Sequence, residues 1–373
     1  MATSKVKSQA TNLTSKAFVL EQPGRAAMKE FDVTEVAPEG VLMRVELCGI
    51  CAGGDGGPYR GTHPHARYPL ILGHEMVGRV AAIGEQAEAQ RGLSVGDRFI
   101  PEVLIPCGRC HMCYTGVYNL CENERQYGVS FSCADPPHLW GAYSQYMWIH
   151  PQSITHRISN DIPVERAVLV AVLANAVRWV QQRGNVQSGE TVTIFGAGVQ
   201  GIGSTIVAKE AGAQVILIGA AGDEQRLELA RNMGADHVIN VAAEDPVDRV
   251  REITSGAGAD LAIEVSGAAA AVEAGLKVLR RRGRFVLAGY SAEKQIPITK
   301  DEIPKKELTI IGGWGQAHGF NLAIRLVESN RYALETLITH RYSLANAEQG
   351  IQDVLARRAG VKAVIAPPPT EHT

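Results

Sequence analysis

No stretch of the 373-residue chain holds the ~20 consecutive apolar residues of a membrane-crossing helix, so no membrane segment is expected. Charge of one sign is not in excess either. The 37 basic and 39 acidic side chains leave a net charge of −2. That balance excludes a strongly basic nucleic-acid binder and removes any electrostatic pull toward an anionic membrane surface. Residues 1–15 are small and polar and lack the apolar core of a secretion signal; they read as a loose tail on a cytoplasmic protein. Internal repeats are absent, and low-complexity sequence is confined to prolines 367–369. Cysteine is sparse and odd in number, seven in all, yet four of the seven fall within 15 residues. In a chain without an export signal, such crowding points to a metal site before it points to disulfides.

What is present is ordinary globular composition, 45% apolar and 20% charged, at a length suited to about two domains. Up to about residue 165, short apolar runs at 41–47, 76–83 and 98–103 lie between Gly, Pro and Asp. They predict strands of a β-rich domain with long loops. Beyond that point the rhythm changes. Residues 165–182 are rich in Ala and Val without Gly or Pro and predict one buried helix. Strand-like runs at 191–195, 215–218, 261–265, 284–288 and 308–311 alternate with helical stretches at 199–211 and 223–233. That alternation predicts an α/β fold with a parallel, doubly wound sheet and right-handed crossovers. Helical patches follow from residue 321, and 361–365 reads as a strand.

Three motifs carry chemistry. Cys107-x-x-Cys110-x-x-Cys113-x7-Cys121 supplies four thiolates at a spacing that closes a tetrahedron around zinc. With no ligand position spare, the expected role is structural. Gly196-x-Gly198-x-x-Gly201 follows a predicted strand and opens a predicted helix. There the first glycine permits a tight turn, the second lets the backbone approach a pyrophosphate and the third lets helix pack on strand. The amides of the helix N-terminus, at Val199 and Gln200, then face the phosphates. The third motif is Gly73-His74-Glu75-x-x-Gly78, with Cys48-Gly49-Ile50-Cys51 upstream. A Cys, a His and a Glu close to a nucleotide site suggest a second, open zinc site.

Taken in order, Gly49-Ile50-Cys51, Gly73-His74-Glu75, the four-cysteine lobe and the Gly196 fingerprint resemble the zinc-containing medium-chain alcohol dehydrogenases. Arg44-Val45, Gly96-Asp97-Arg98 and Val361-Lys362 also sit where that family has similar motifs, so the resemblance spans residues 16–367. It implies a GroES-like β-rich catalytic domain at 16–165, a Rossmann NAD(P)-binding domain at 166–318 and a C-terminal return at 319–373. It further implies two zinc ions per chain, one catalytic and one structural, and hydride transfer between an alcohol or carbonyl substrate and NAD or NADP. Asn175 falls where the family contacts the nicotinamide. A homodimer or homotetramer is the expected assembly.

The chain departs from the family in three places. The resemblance puts catalytic zinc on Cys51 and His74, but the slot for a third ligand holds Ala171, which cannot bind metal. Glu75 is the substitute, as in relatives that use the carboxylate after the histidine; Cys48 is the other candidate, or else a small buried side chain. After Cys51 the family's hydroxyl of the proton relay is missing. The chain reads Ala52-Gly53-Gly54-Asp55, with Asp55 matching the family's Asp, and offers His63 and His65 downstream, or water, as the proton route. At the end of the second Rossmann strand, Gly219 stands near the place of the acid that holds the ribose, which favours NADP. Asp223 and Glu224 would repel a 2'-phosphate and favour NAD. NAD is the expected cofactor on that balance. Two rivals remain open: a zinc-relaxed reductase of an activated double bond or imine, and a nucleotide-sensing relative without turnover.

Overall fold

Lys362 and Val41 lie more than 300 positions apart in sequence, yet their strands are neighbours in one sheet. The computed structural model describes residues 7–8, 13–291 and 294–369. The chain divides into two units. The first comprises Met1–Ala171, Ile324–Asn330 and Leu334–Thr373, and the second Val172–Ala323 and Arg331–Ala333.

The first unit is built on an eight-stranded sheet. Its main path runs Thr155–Arg157, Arg98–Pro101, Glu75–Ile83, Val41–Gly49, Lys362–Ala366, Ile338–Ser343. Pairing along it is antiparallel except between the last two strands. Val41–Gly49 is buried along almost its whole length, only Arg44 and Glu46 being half-exposed. A strand packed on both faces reads as a continuous apolar run rather than an alternating one, which is why 41–47 was legible in the sequence. Lys7–Ser8, within the segment read as a tail, pairs with Ile83 and Ala82.

The second unit holds a six-stranded, all-parallel sheet in the order His237–Asn240, Gln214–Gly219, Thr191–Phe195, Ala259–Glu264, Leu279–Leu287, Thr309–Gly312. This is the doubly wound α/β arrangement, with the strand order reversing at Thr191–Phe195. The helices Val199–Glu210 and Glu224–Asn232 lie within a residue of their predicted bounds. The single helix expected over 165–182 is interrupted. It forms Val164–Ala167, Val170–Val177 and a π-helical turn at Arg178–Arg183. Within the first segment Arg166 is 3% exposed and tied to Val327 O, Asn330 and Glu335. The strand His237–Asn240 escapes sequence reading because it is a short edge strand, mostly half-buried. Among the described residues, no helix is long and apolar enough to cross a membrane.

Candidate active site and metal centres

The cysteine lobe has almost nothing apolar to bury: its cluster consists of the four cysteines and Met112. All four sulphurs lie within 4.8 Å of one another, with Cys107–Cys113 and Cys110–Cys121 each at 4.0 Å. A zinc tetrahedron with bonds of about 2.3 Å has sulphur–sulphur edges of about 3.8 Å, so the donor set fits the ion. Backbone N–H groups already point at sulphur: Cys107 N donates to Cys121 Sγ at 3.3 Å and Arg109 N to Cys107 Sγ at 3.5 Å. The Arg109 amide is the main reason that Cys107 is held down at about 6, whereas burial and the neighbouring sulphurs push Cys113 up to about 12. Tyr118, within the lobe, donates to buried Glu102, which also bonds His156 at 2.9 Å.

In the same unit, antiparallel pairing of Val41–Gly49 with Glu75–Ile83 sets Gly49 opposite Glu75. Cys51 follows the first strand and His74 precedes the second, so the turn residues of two adjacent strands converge. The ligating atoms of Cys51, His74 and Glu75 lie within 4.8 Å of one another. Asp55, wholly buried, braces them. Its Oδ2 accepts from Cys51 N at 2.8 Å and from Tyr143 OH at 3.0 Å, and its Oδ1 accepts from Gly73 N at 3.3 Å. His74 Nδ1 stands 3.2 Å from Oδ1, with its N–H not aimed straight at the oxygen. Burial works against charge on His74, but Asp55 and then Cys51 outweigh it and raise the imidazole well above its usual value. Gly54 keeps the ring's far edge open, because a Cβ there would come within 2.6 Å of His74 Nε2. The Gly54 N–H points at Cys51 Sγ, 3.4 Å away. A cysteine sulphur, an imidazole with Nδ1 beside Asp55 and a carboxylate oxygen within 4.8 Å of one another fit a zinc ion.

Glu75 has a second partner that the sequence reading did not foresee. Its Oε2 bonds the Lys362 ammonium, which also donates to Ile50 O at 3.0 Å. Gly49 makes this possible, since a Cβ there would lie 2.5 Å from Glu75 Oε2 and 2.6 Å from Lys362 Cε. The Glu75 carboxylate therefore offers a metal only the oxygen that Lys362 leaves. Ala171 is buried and carries no ligand atom. Cys48 stands outside the Cys51–His74–Glu75 cluster, its thiol wholly buried and donating to Gly49 O at 3.6 Å.

The two loop histidines differ in setting. His65 is half-exposed and paired with Glu124 at 3.2 Å. His63 is half-buried, and its Nδ1 accepts from His65 N at 3.3 Å. Its Nε2 stands 3.3 Å from the Gln126 amide nitrogen. Burial is the main cause holding His63 below its usual value.

In the second unit, Gly196 has φ +116°, and a Cβ on Gly201 would overlap Gly196 O. A Cβ on Gly198 would meet open space. Gly198 caps Val199–Glu210 without a side-chain bond, so the first-turn amides at Val199 and Gln200 keep their capacity for phosphate. Asn175 is half-buried amid fully buried neighbours on Val170–Val177. Asp223 lies just beyond the strand Gln214–Gly219. It is 3% exposed, accepts from Ala220 N at 2.9 Å and pairs with Arg226 at 3.1 Å. Its carboxylate is turned inward, and its charge is compensated. Sequence reasoning also missed Glu264, which ends the central strand Ala259–Glu264. It accepts from Ser266 N (2.6 Å), Ser266 Oγ (2.5 Å) and Gly267 N (2.8 Å), shaping the loop at the switch point. The only signal was an acid closing an apolar run.

Residues 37–160 match the family described as alcohol dehydrogenase GroES-like domain, and residues 201–329 match zinc-binding dehydrogenase. The chain is 33% identical to a probable alcohol dehydrogenase of Mycobacterium tuberculosis, over 94% of its own length and 96% of the relative's. It is 32% identical to an erythritol/L-threitol dehydrogenase of Mycolicibacterium smegmatis, over 94% and 97%. It is 31% identical to a sorbitol dehydrogenase of Bacillus subtilis, over 91% and 93%. Among solved structures, an alcohol dehydrogenase of Thermotoga maritima superposes with a TM-score of 0.87 at 28% identity, covering 95% of this chain and all of that one.

Proposed function

The chain belongs to the zinc-type medium-chain alcohol dehydrogenase family, and from that premise we propose that it transfers hydride between a polyhydroxy alcohol, or its carbonyl counterpart, and NAD. The observation that carries this reading is the convergence of Cys51, His74 and Glu75 in a cradle braced by Asp55 and left open by Gly54. The polyol class is drawn from relatives named for erythritol/L-threitol and sorbitol.

Cys51 Sγ and His74 Nε2 would hold a catalytic zinc, with the free oxygen of Glu75 as third ligand. Zinc supplies Lewis acidity at the alcohol oxygen, and the nicotinamide supplies the hydride acceptor. The chain's own residues do the rest. Asp55, 3.2 Å from Nδ1, orients the His74 ring by its charge. Lys362 anchors Glu75 from behind. Gly196, Gly198 and Gly201 would admit a pyrophosphate to the amides of Val199 and Gln200, and Asn175 would contact the nicotinamide. His63, neutral and half-buried, moves the substrate's proton outward. NAD is assigned because residues 219–225 hold no Lys or Arg and the next basic residue in sequence, Arg226, is paired with Asp223. The four cysteines of the lobe would hold a structural zinc.

The test is metal analysis together with reduction of NAD and NADP, followed by absorbance, across simple alcohols, diols and polyols. Two zincs per chain and turnover of polyols are expected. One zinc per chain with reduction of an activated double bond would replace this reading with the reductase.

A further inference from the structure

We propose that Tyr143 is a positioning residue of the metal centre, acting through Asp55 on His74. The proposal rests on the reading that Cys51 and His74 hold a metal.

Asp55 is wholly buried, and the protein groups that satisfy it are few. Among the described residues these are two backbone amides, Cys51 N and Gly73 N, and the Tyr143 hydroxyl at 3.0 Å, with His74 Nδ1 3.2 Å from Oδ1. Tyr143 shares Oδ2 with Cys51 N, so the phenol and the amide together turn the carboxylate and leave Oδ1 beside His74 Nδ1. A buried carboxylate that lost this donor would rotate to recover a bond elsewhere, and Oδ1 would move with it.

The phenol is itself held in place. Tyr143 is wholly buried. Its N–H donates to Leu72 O at 2.9 Å, and its carbonyl accepts from Phe18 N at 2.8 Å. Its ring lies against Gly73, where a Cβ would come within 2.5 Å of Tyr143 Cδ1. Gly73 also takes a φ of +95°, a conformation that favours glycine. The residue before the metal-facing histidine is therefore a glycine that makes room for the tyrosine, and the tyrosine bonds the carboxylate that steers the histidine. Burial, followed by the Asp55 charge, raises the phenol well above its usual value, so it remains a donor.

The test uses full-length zinc-loaded protein and the variants Tyr143→Phe, Asp55→Asn and the double variant. Phenylalanine keeps the ring and removes only the hydroxyl. Zinc release to a chromogenic chelator is followed in time, with the four-cysteine zinc as internal reference. A cobalt-substituted sample reports ligand geometry by its visible bands. We expect Tyr143→Phe to release the Cys51–His74 metal roughly tenfold faster, the low end for the loss of an outer partner of a ligand. We expect shifted cobalt bands and an unchanged rate for the cysteine-lobe zinc. Because Tyr143 acts through Asp55, the double variant should release metal no faster than Asp55→Asn alone. Wild-type release in Tyr143→Phe overturns the assignment. So does a full additive effect in the Asp55→Asn background, or faster loss from both zinc sites, each of which marks a general packing role. A single zinc per wild-type chain overturns the metal reading itself, and this assignment with it.

Discussion

The Lys362 ammonium bonds the Glu75 carboxylate where neither side chain is more than 5% exposed. The pair joins a strand near the C-terminus to the one that follows His74, across the room left by Gly49. Burial disfavours the charge on Lys362, but Glu75 and then Cys51 outweigh it and keep the ammonium charged. Breaking such a pair strands a buried charge, which costs about 3–5 kcal/mol. Lys362→Met should therefore lose stability on that scale in urea unfolding. The Glu75→Gln, Lys362→Met double variant should recover most of the loss. A single variant as stable as wild type would show that the pair is solvated.

The lobe should depend on its metal. Replacing Cys110 by Ser removes one of four sulphurs that pack against little else. The expected outcome is loss of about one zinc per chain and a melting point lower by several degrees. A Cys110→Ser protein with full zinc content and unaltered melting would refute the structural assignment.

Cofactor choice should turn on the Asp223–Arg226 pair. Asp223→Asn leaves Arg226 without its carboxylate partner at 3.1 Å, and a guanidinium beside the ribose favours a 2'-phosphate. The kcat/KM ratio of NADP to NAD should rise roughly tenfold, equivalent to about 1.4 kcal/mol. An unchanged ratio would mean that Arg226 does not reach the ribose.

Proton movement should depend on His63 and not on His65. His65 is engaged by Glu124 at the surface, while His63 is half-buried and neutral. His63→Gln should lower kcat below pH 8 on the order of a hundredfold, with recovery at high pH, where the substrate ionises unaided. His65→Gln should follow the wild-type profile. Equal profiles for both variants would leave water as the carrier.

Acid stability should feel His150. Its imidazole is pushed down to about 4, first by burial and then by Arg125 and Arg91. The folded value lies below the unfolded one, so the unfolded chain binds the proton first. Stability is full above about 6.5 and falls as pH drops toward 4. His150→Gln should show a shallower decline of melting temperature between pH 7 and 4. Parallel curves for the two proteins would contradict this.

The sequence by itself determined the α/β class, the parallel second unit, the four-cysteine lobe and the glycine fingerprint. Each is a local pattern: continuous apolar runs for strands buried on both faces, closely spaced thiols, and glycines at a strand-to-helix turn. It also brought forward Cys51, His74 and Glu75, as ligand-type residues in two short motifs and through the family resemblance. What tertiary structure decided was the company those residues keep. Lys362 meets Glu75 across 287 positions, and Tyr143 meets Asp55 across 88. No periodicity links such partners; sheet order does. Asp223 shows the converse. Its place after the second strand is local information, but only the folded loop shows its carboxylate turned in toward Ala220 and Arg226. A side chain's charge is written in the sequence, whereas its direction is set by whatever packs and bonds around it.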